Sequence, residues 1–136
     1  MGKLNLEVVT PAGIIAEVEA DIVVAPGTEG EFGVLPGHIN FLSGIVPGEL
    51  RYTDGDKTQY MSISSGFAEV SNDKVSVLVD SAEIAHEIDI ERAQSAMNRA
   101  KDRLSKKRDA ADIDFIRAEA ALQRAISRVK VAKKIG

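Results

Sequence analysis

The chain has no cysteine and no tryptophan, only four prolines, and only two histidines in 136 residues. Without cysteine there is no disulfide framework and no thiolate metal site. His38 and His86 alone cannot supply a closed zinc site of the usual kind. Lack of thiols fits a reducing compartment. Aromatic residues make up 4 % of the chain, too few to stack successive bases in a single-stranded nucleic-acid groove. No apolar run approaches the length needed to cross a bilayer. Met1–Leu6 has no apolar signal core, and Leu6 stands where a myristoylation pattern needs Ser or Thr. Any membrane association is therefore expected to be indirect, through other chains. Catalytic signatures are missing too: there is no Gly-x-Ser-x-Gly elbow, no Walker loop and no paired-histidine motif.

Charge is present but unevenly placed. Residues 1–87 carry 4 Lys/Arg against 14 Asp/Glu, while residues 88–136 carry 13 against 7. The net charges are −10 and +6. Two units facing different partners would produce this split, and so would a basic, solvated helical surface.

Hydrophobic periodicity changes at the same place. Leu4, Leu6 and Val8 alternate with Asn5 and Glu7, as in a half-buried strand. Extended segments are expected over Ile14–Glu19 and Asp21–Ala25. Asp54-Gly55 between Leu50–Tyr52 and Thr58–Ile63 marks a hairpin. Ser71–Asp73 between Phe67–Val70 and Val75–Val79 marks another. Repeated short strands with regular turns predict a sandwich or barrel.

Beyond Ala82 the period becomes helical. Asp89 is placed to cap a helix from Ile90, with Ile90, Ala93, Met97, Ala100 and Leu104 on one face. Asp109 is placed to cap a second helix, with Phe115, Ala118, Leu122, Ala125 and Val129 in its stripe. Helices of roughly 18 residues would be about 27 Å long. Alanine-rich stripes bury little area, so a lightly docked, detachable hairpin is expected.

The densest motif is Gly27-Thr28-Glu29-Gly30-Glu31-Phe32-Gly33-Val34-Leu35-Pro36-Gly37-His38. Its glycine spacing is wrong for a dinucleotide loop, and its two carboxylates would repel phosphate. It reads either as a tight loop between strands or as an exposed acidic loop that meets a partner. With Leu4–Pro11, Gly66–Val70 and the basic tail, this run resembles the epsilon subunits of bacterial F-type ATP synthase, in order along essentially the whole chain. The resemblance implies an N-terminal ten-stranded β-sandwich, residues 1–87, and a C-terminal antiparallel two-helix hairpin, residues 88–136. It implies a non-catalytic central-stalk subunit of a proton-translocating complex, peripheral on the cytoplasmic face of the bacterial inner membrane. The expected partners are the gamma subunit and the c-ring. The alpha and beta catalytic subunits would be met through the helices. Glu29, Glu31 and His38 would face the c-ring, although for His38 a hydrogen-bonded loop role is preferred to a direct contact.

Ile88-Asp89-Ile90-Glu91-Arg92-Ala93 resembles the family's Ile/Leu-Asp-x-x-Arg-Ala pattern, linked in some members to ATP. By resemblance Glu83, Ile88, Asp89 and Ala93 surround the base, while Arg92, Arg99, Arg124 and Arg128 face the phosphates. Guanidinium forks suit phosphate oxygens. A plain helix cap at Asp89 with Arg92 paired to a carboxylate would also account for the motif. No cofactor is required; ATP is the expected regulatory ligand. A free-standing ATP sensor is the competing reading, and a nucleic-acid binder is disfavoured by the acidic first half. His86 is read as structural.

Overall fold

A computed structural model describes residues 2–106 and 112–133. Residues 4–84 form ten strands: β1 (Leu4–Thr10), β2 (Gly13–Ala20), β3 (Ile22–Gly27), β4 (Gly30–Val34), β5 (Phe41–Ile45), β6 (Gly48–Asp54), β7 (Lys57–Ile63), β8 (Gly66–Ser71), β9 (Lys74–Val79) and β10 (Ala82–Ile84). A 3₁₀ turn at Ala85–Glu87 leads into α1 (Ile90–Lys106) and α2 (Asp112–Lys133).

Hydrogen bonding joins nine strands in the order β10-β7-β6-β3-β5-β8-β9-β1-β2, and β4 pairs with β3. The β1–β9 pairing is parallel. β2 approaches β6, and the Asp21 N–H donates to Thr53 O at 2.7 Å, so the sheet folds back almost into a barrel. Alternation decides which side chains point inward. Leu4, Leu6 and Val8 of β1 and Val75, Val77 and Val79 of β9 fill the interior, with Val23, Leu50, Met61, Ile63 and Val70.

Both expected hairpins form. Asp54 pairs with Lys57 across a two-residue turn whose first residue, Gly55, has φ +63°. Ser71 pairs with Lys74 across Asn72 and Asp73, at φ 50° and 61°, the paired left-handed conformations of a type I′ turn. A different constraint fixes Gly66: a Cβ there would lie 2.0 Å from the Leu78 carbonyl oxygen.

The glycine-rich run departs from the loop expectation. Gly27 pairs with Gly30 and Pro26 with Glu31, so Thr28-Glu29 is a hairpin turn and Glu31 lies in β4. The three-residue glycine step masked the strand alternation.

Asp89 caps α1 as expected, its Oδ1 accepting the Arg92 N–H at 3.1 Å. Ala93 and Ala100 are buried, but Ile90 is 42 % exposed. α2 buries Ala118, Ala125 and Val129, and also Ser127, Val131 and Ala132. The single-stripe expectation missed the last three because α2 has two neighbours: α1 on one side, β6 and β7 on the other. The Asp109 cap and the Phe115 and His86 side chains lie outside the described residues.

The helices have their own small core of Ala85, Ile88, Ala93, Val129, Val131 and Ala132, flanked by Tyr60 and Met97. None of its fully buried members belongs to the sandwich core. Fully burying one valine contributes about 1.5–3 kcal/mol at most. With two valines and an isoleucine, the helical core is far weaker than the sandwich interior.

Candidate functional site

Between α1, α2 and the β7–β10 edge lies a cleft of about 380 Å³, whose walls include Ser62, Ser64, Ser81, Glu83, Arg99, Arg103, Arg124 and Arg128. A second, of about 470 Å³, shares Arg99 and Arg128 and adds Glu91, Arg92 and Ser95. The helical period explains the gathering. Arg92, Arg99 and Arg103 are seven and four residues apart, Arg124 and Arg128 four apart, so each set runs along one face. Antiparallel packing turns the two faces toward the same space.

The four arginines expected to face phosphate are thus collected around two adjoining clefts. Arg103 is a fifth, missed in the sequence because it lies on the charged flank of the α1 stripe rather than in a motif. Only Arg128 among the five has a carboxylate within ion-pair distance among the described residues. Its Nε stands 2.5 Å from Glu83 Oε1, and its Nη2 donates to Oε2 at 3.3 Å. Arg92, Arg99 and Arg124 are exposed. Among the described residues Arg92 has no carboxylate within ion-pair distance, while the Asp89 cap is formed. Five guanidinium groups against Glu83 and Glu91 leave a cationic cavity suited to a polyanion.

The residues expected around a base are arranged otherwise. Glu83 lines the cleft, but Ala93 is wholly buried and Ile88 is 7 % exposed. Both pack into the helical core with Val129 and Val131. Asp89 is engaged at the helix N-terminus.

The serine wall is internally bonded. Ser62 Oγ and Ser127 Oγ lie 3.1 Å apart. Ser64 Oγ accepts the Ser81 N–H at 2.7 Å.

The expected partner-contact residues occupy two places. Glu29 is exposed at the β3–β4 turn. Glu31 meets Arg51 in a two-fold ion pair, Nη1 to Oε2 and Nη2 to Oε1, both at 3.0 Å. That contact raises the Arg51 pKa from its ordinary value. His38 lies in the β4–β5 loop, where its Nδ1 donates to Ile39 O at 2.7 Å and its ring meets Phe41 edge-on at 6.0 Å. The Gly37 N–H anchors this loop to Asp73 Oδ1 at 2.7 Å. Around it Leu35, Ile39 and Leu42 are 58, 77 and 70 % exposed. Phe67 and Leu78, paired across β8 and β9, are also exposed. Sequence reading missed this apolar outer face because inward alternation drew attention to Val75, Val77 and Val79.

Comparison with known proteins is consistent along the chain. The β-sandwich domain of the ATP synthase delta/epsilon chain matches residues 3–85. The long α-helix domain of the same chain matches residues 86–133. The chain is similar to the ATP synthase epsilon chain of Syntrophobacter fumaroxidans, 52 % identical over 132 residues, covering 97 % of both chains. To that of Geotalea daltonii it is 48 % identical over 134 residues, covering 98 % of this chain and 96 % of the relative. Among solved structures, a chain in the Euglena gracilis mitochondrial ATP synthase assembly of OSCP, F1 and c-ring superposes with TM-score 0.81 at 25 % identity. That match covers 98 % of this chain and 82 % of the other.

Proposed function

The chain belongs to the ATP synthase delta/epsilon family, among the epsilon chains of the bacterial F-type enzyme, and from that premise we propose that it is a non-catalytic central-stalk subunit that senses ATP. The sandwich couples the gamma subunit to the c-ring, and the complex holds it peripherally on the cytoplasmic face of the inner membrane. Its exposed apolar face at Leu42, Phe67 and Leu78 suits contact with a partner chain better than contact with water. Glu29 and the His38 loop remain the candidates for the c-ring. Glu31, already bound to Arg51, offers such a partner a paired charge.

The helices carry the regulation. Detached and extended, residues 88–136 bring a net charge of +6 to acidic segments of the catalytic subunits and oppose rotation in the hydrolytic direction. Folded, they form the arginine cleft. The observation that carries this reading is that Arg92, Arg99 and Arg103 come from α1, and Arg124 and Arg128 from α2, so the full cation set exists only when the hairpin is closed. A nucleotide held there favours the closed state by linkage. At 100 times its dissociation constant the shift is about 2.7 kcal/mol.

The test is a synthase carrying the chain truncated after residue 87. Assembly persists and ATP hydrolysis rises; equal hydrolysis with and without the helices contradicts the regulatory role. A free-standing sensor would have the same cleft, and failure to co-purify with gamma would favour it.

A further inference from the structure

Arg128 is common to both clefts, and it is already occupied. Its Nη2 donates to Glu83 Oε2 at 3.3 Å, and its Nε lies 2.5 Å from Oε1 as an ion pair without the alignment of a second hydrogen bond, so the guanidinium already holds an oxyanion of the kind a phosphate would offer. Glu83 belongs to β10, at the edge of the sandwich, while Arg128 belongs to α2. The ion pair therefore crosses the seam between the two cores. A side-chain hydrogen bond, Ser62–Ser127, crosses the same seam.

We infer that the Glu83 carboxylate is an internal stand-in for the ligand's anion: it latches α2 to the sandwich when the cleft is empty and yields Arg128 to a polyphosphate when one binds. The inference rests on the reading of the arginine cluster as a phosphate site. The chemistry is an exchange of one oxyanion for another at a single guanidinium. An incoming polyphosphate meets Arg92, Arg99 and Arg124 without displacing a carboxylate of the described residues, and meets Arg128 only in competition with Glu83. Two consequences follow. The hairpin is held closed to some degree without ligand, and the ligand's added hold on α2 is smaller than five arginines would suggest, because one bond is substituted rather than gained.

Glu83→Gln keeps the shape and removes the charge. Amide hydrogen exchange over residues 112–133 of the full chain is the readout, with and without inorganic tripolyphosphate. Without anion, exchange in the variant is faster by about fivefold, the worth of a partly exposed ion pair. At saturating tripolyphosphate the two proteins converge, since the added anion now binds α2 in both. Glu91→Gln removes one carboxylate charge from the adjoining cleft without breaking the latch, and its exchange without anion matches the parent. Equal exchange of parent and Glu83→Gln without anion overturns the inference. So does a gap that persists when both proteins are saturated. Calorimetric titration of the parent with ATP and tripolyphosphate is run alongside. Absence of any binding there defeats the phosphate-site reading itself, whereas binding together with either overturning result defeats the latch alone.

Discussion

Ser62 of β7 and Ser127 of α2 meet hydroxyl to hydroxyl at 3.1 Å, both about 6 % exposed, in the seam between sandwich and hairpin. A buried hydroxyl that loses its partner costs about 1–3 kcal/mol. Ser127→Ala is therefore expected to loosen α2 while leaving the sandwich intact. Amide exchange over residues 112–133 should quicken roughly tenfold, taking about 1.4 kcal/mol as one decade, with exchange over residues 4–79 unchanged. A matching loss in both segments would mean that helices and strands form one cooperative unit.

The two cores predict a second separation. Val131 is fully buried in the helical core and Val77 fully buried in the sandwich. Cutting either to alanine removes two methyl-sized groups, about 1.6 kcal/mol of transfer energy at ~0.8 per carbon. Val77→Ala should lower the main unfolding midpoint in denaturant. Val131→Ala should leave that midpoint in place and speed exchange in the helices alone.

For nucleotide binding, Arg92→Ala and Arg124→Ala should each weaken ATP affinity without unfolding the chain. A hydrogen bond to a charged group contributes about 1.5–3 kcal/mol when well formed. Both side chains are exposed, so the lower end applies, roughly tenfold each. Calorimetric titration of each variant measures this, and circular dichroism checks that the fold persists. Unchanged titration curves for both would remove these residues from the phosphate site.

Acid stability should carry the mark of one clamp at the end of the sandwich. Asp21 Oδ2 accepts the Gly55 N–H at 2.8 Å, and Lys3 Nζ lies 2.9 Å from its other oxygen. The amide hydrogen bond first, and Lys3 second, lower its pKa below the ordinary value. A lowered carboxyl pKa contributes stability above the unfolded value, about 3.9, and that stability is lost as pH falls through the folded pKa. Lys3, raised by Asp54 and Asp21, contributes below the ordinary lysine range and loses its part only as pH rises past its folded pKa. Denaturant midpoints should thus be flat from about pH 5 to 9 for this clamp. Asp21→Asn should flatten the acid limb; an unaltered limb would exclude the clamp as its source.

Much of this architecture is legible in the sequence because alternation and turn chemistry are local. Leu4, Leu6 and Val8 announce an inward face, and Asn72-Asp73 announces a turn. Asp89 likewise reads as a cap because capping depends on three neighbouring residues. The strand at Gly30–Val34 does not read, because Gly27, Gly30 and Gly33 interrupt its alternation and only pairing with β3 reveals it. Val131 and Ala132 do not read as core, since their burial depends on β6 and β7, sixty or more residues away. At the site, helical spacing was enough to gather Arg92, Arg99, Arg124 and Arg128. The Glu83–Arg128 pair crosses 45 positions, and nothing local in either residue predicts it.

The central claim is that a ligand held by the arginine cleft closes the hairpin onto a sandwich that does not itself change. Amide exchange of the full chain with and without saturating ATP tests it most directly. The account predicts slower exchange across residues 90–104 and 117–133 on ATP addition, with residues 4–79 unaffected. Exchange in the helices that is indifferent to ATP, although calorimetry registers binding, would contradict it.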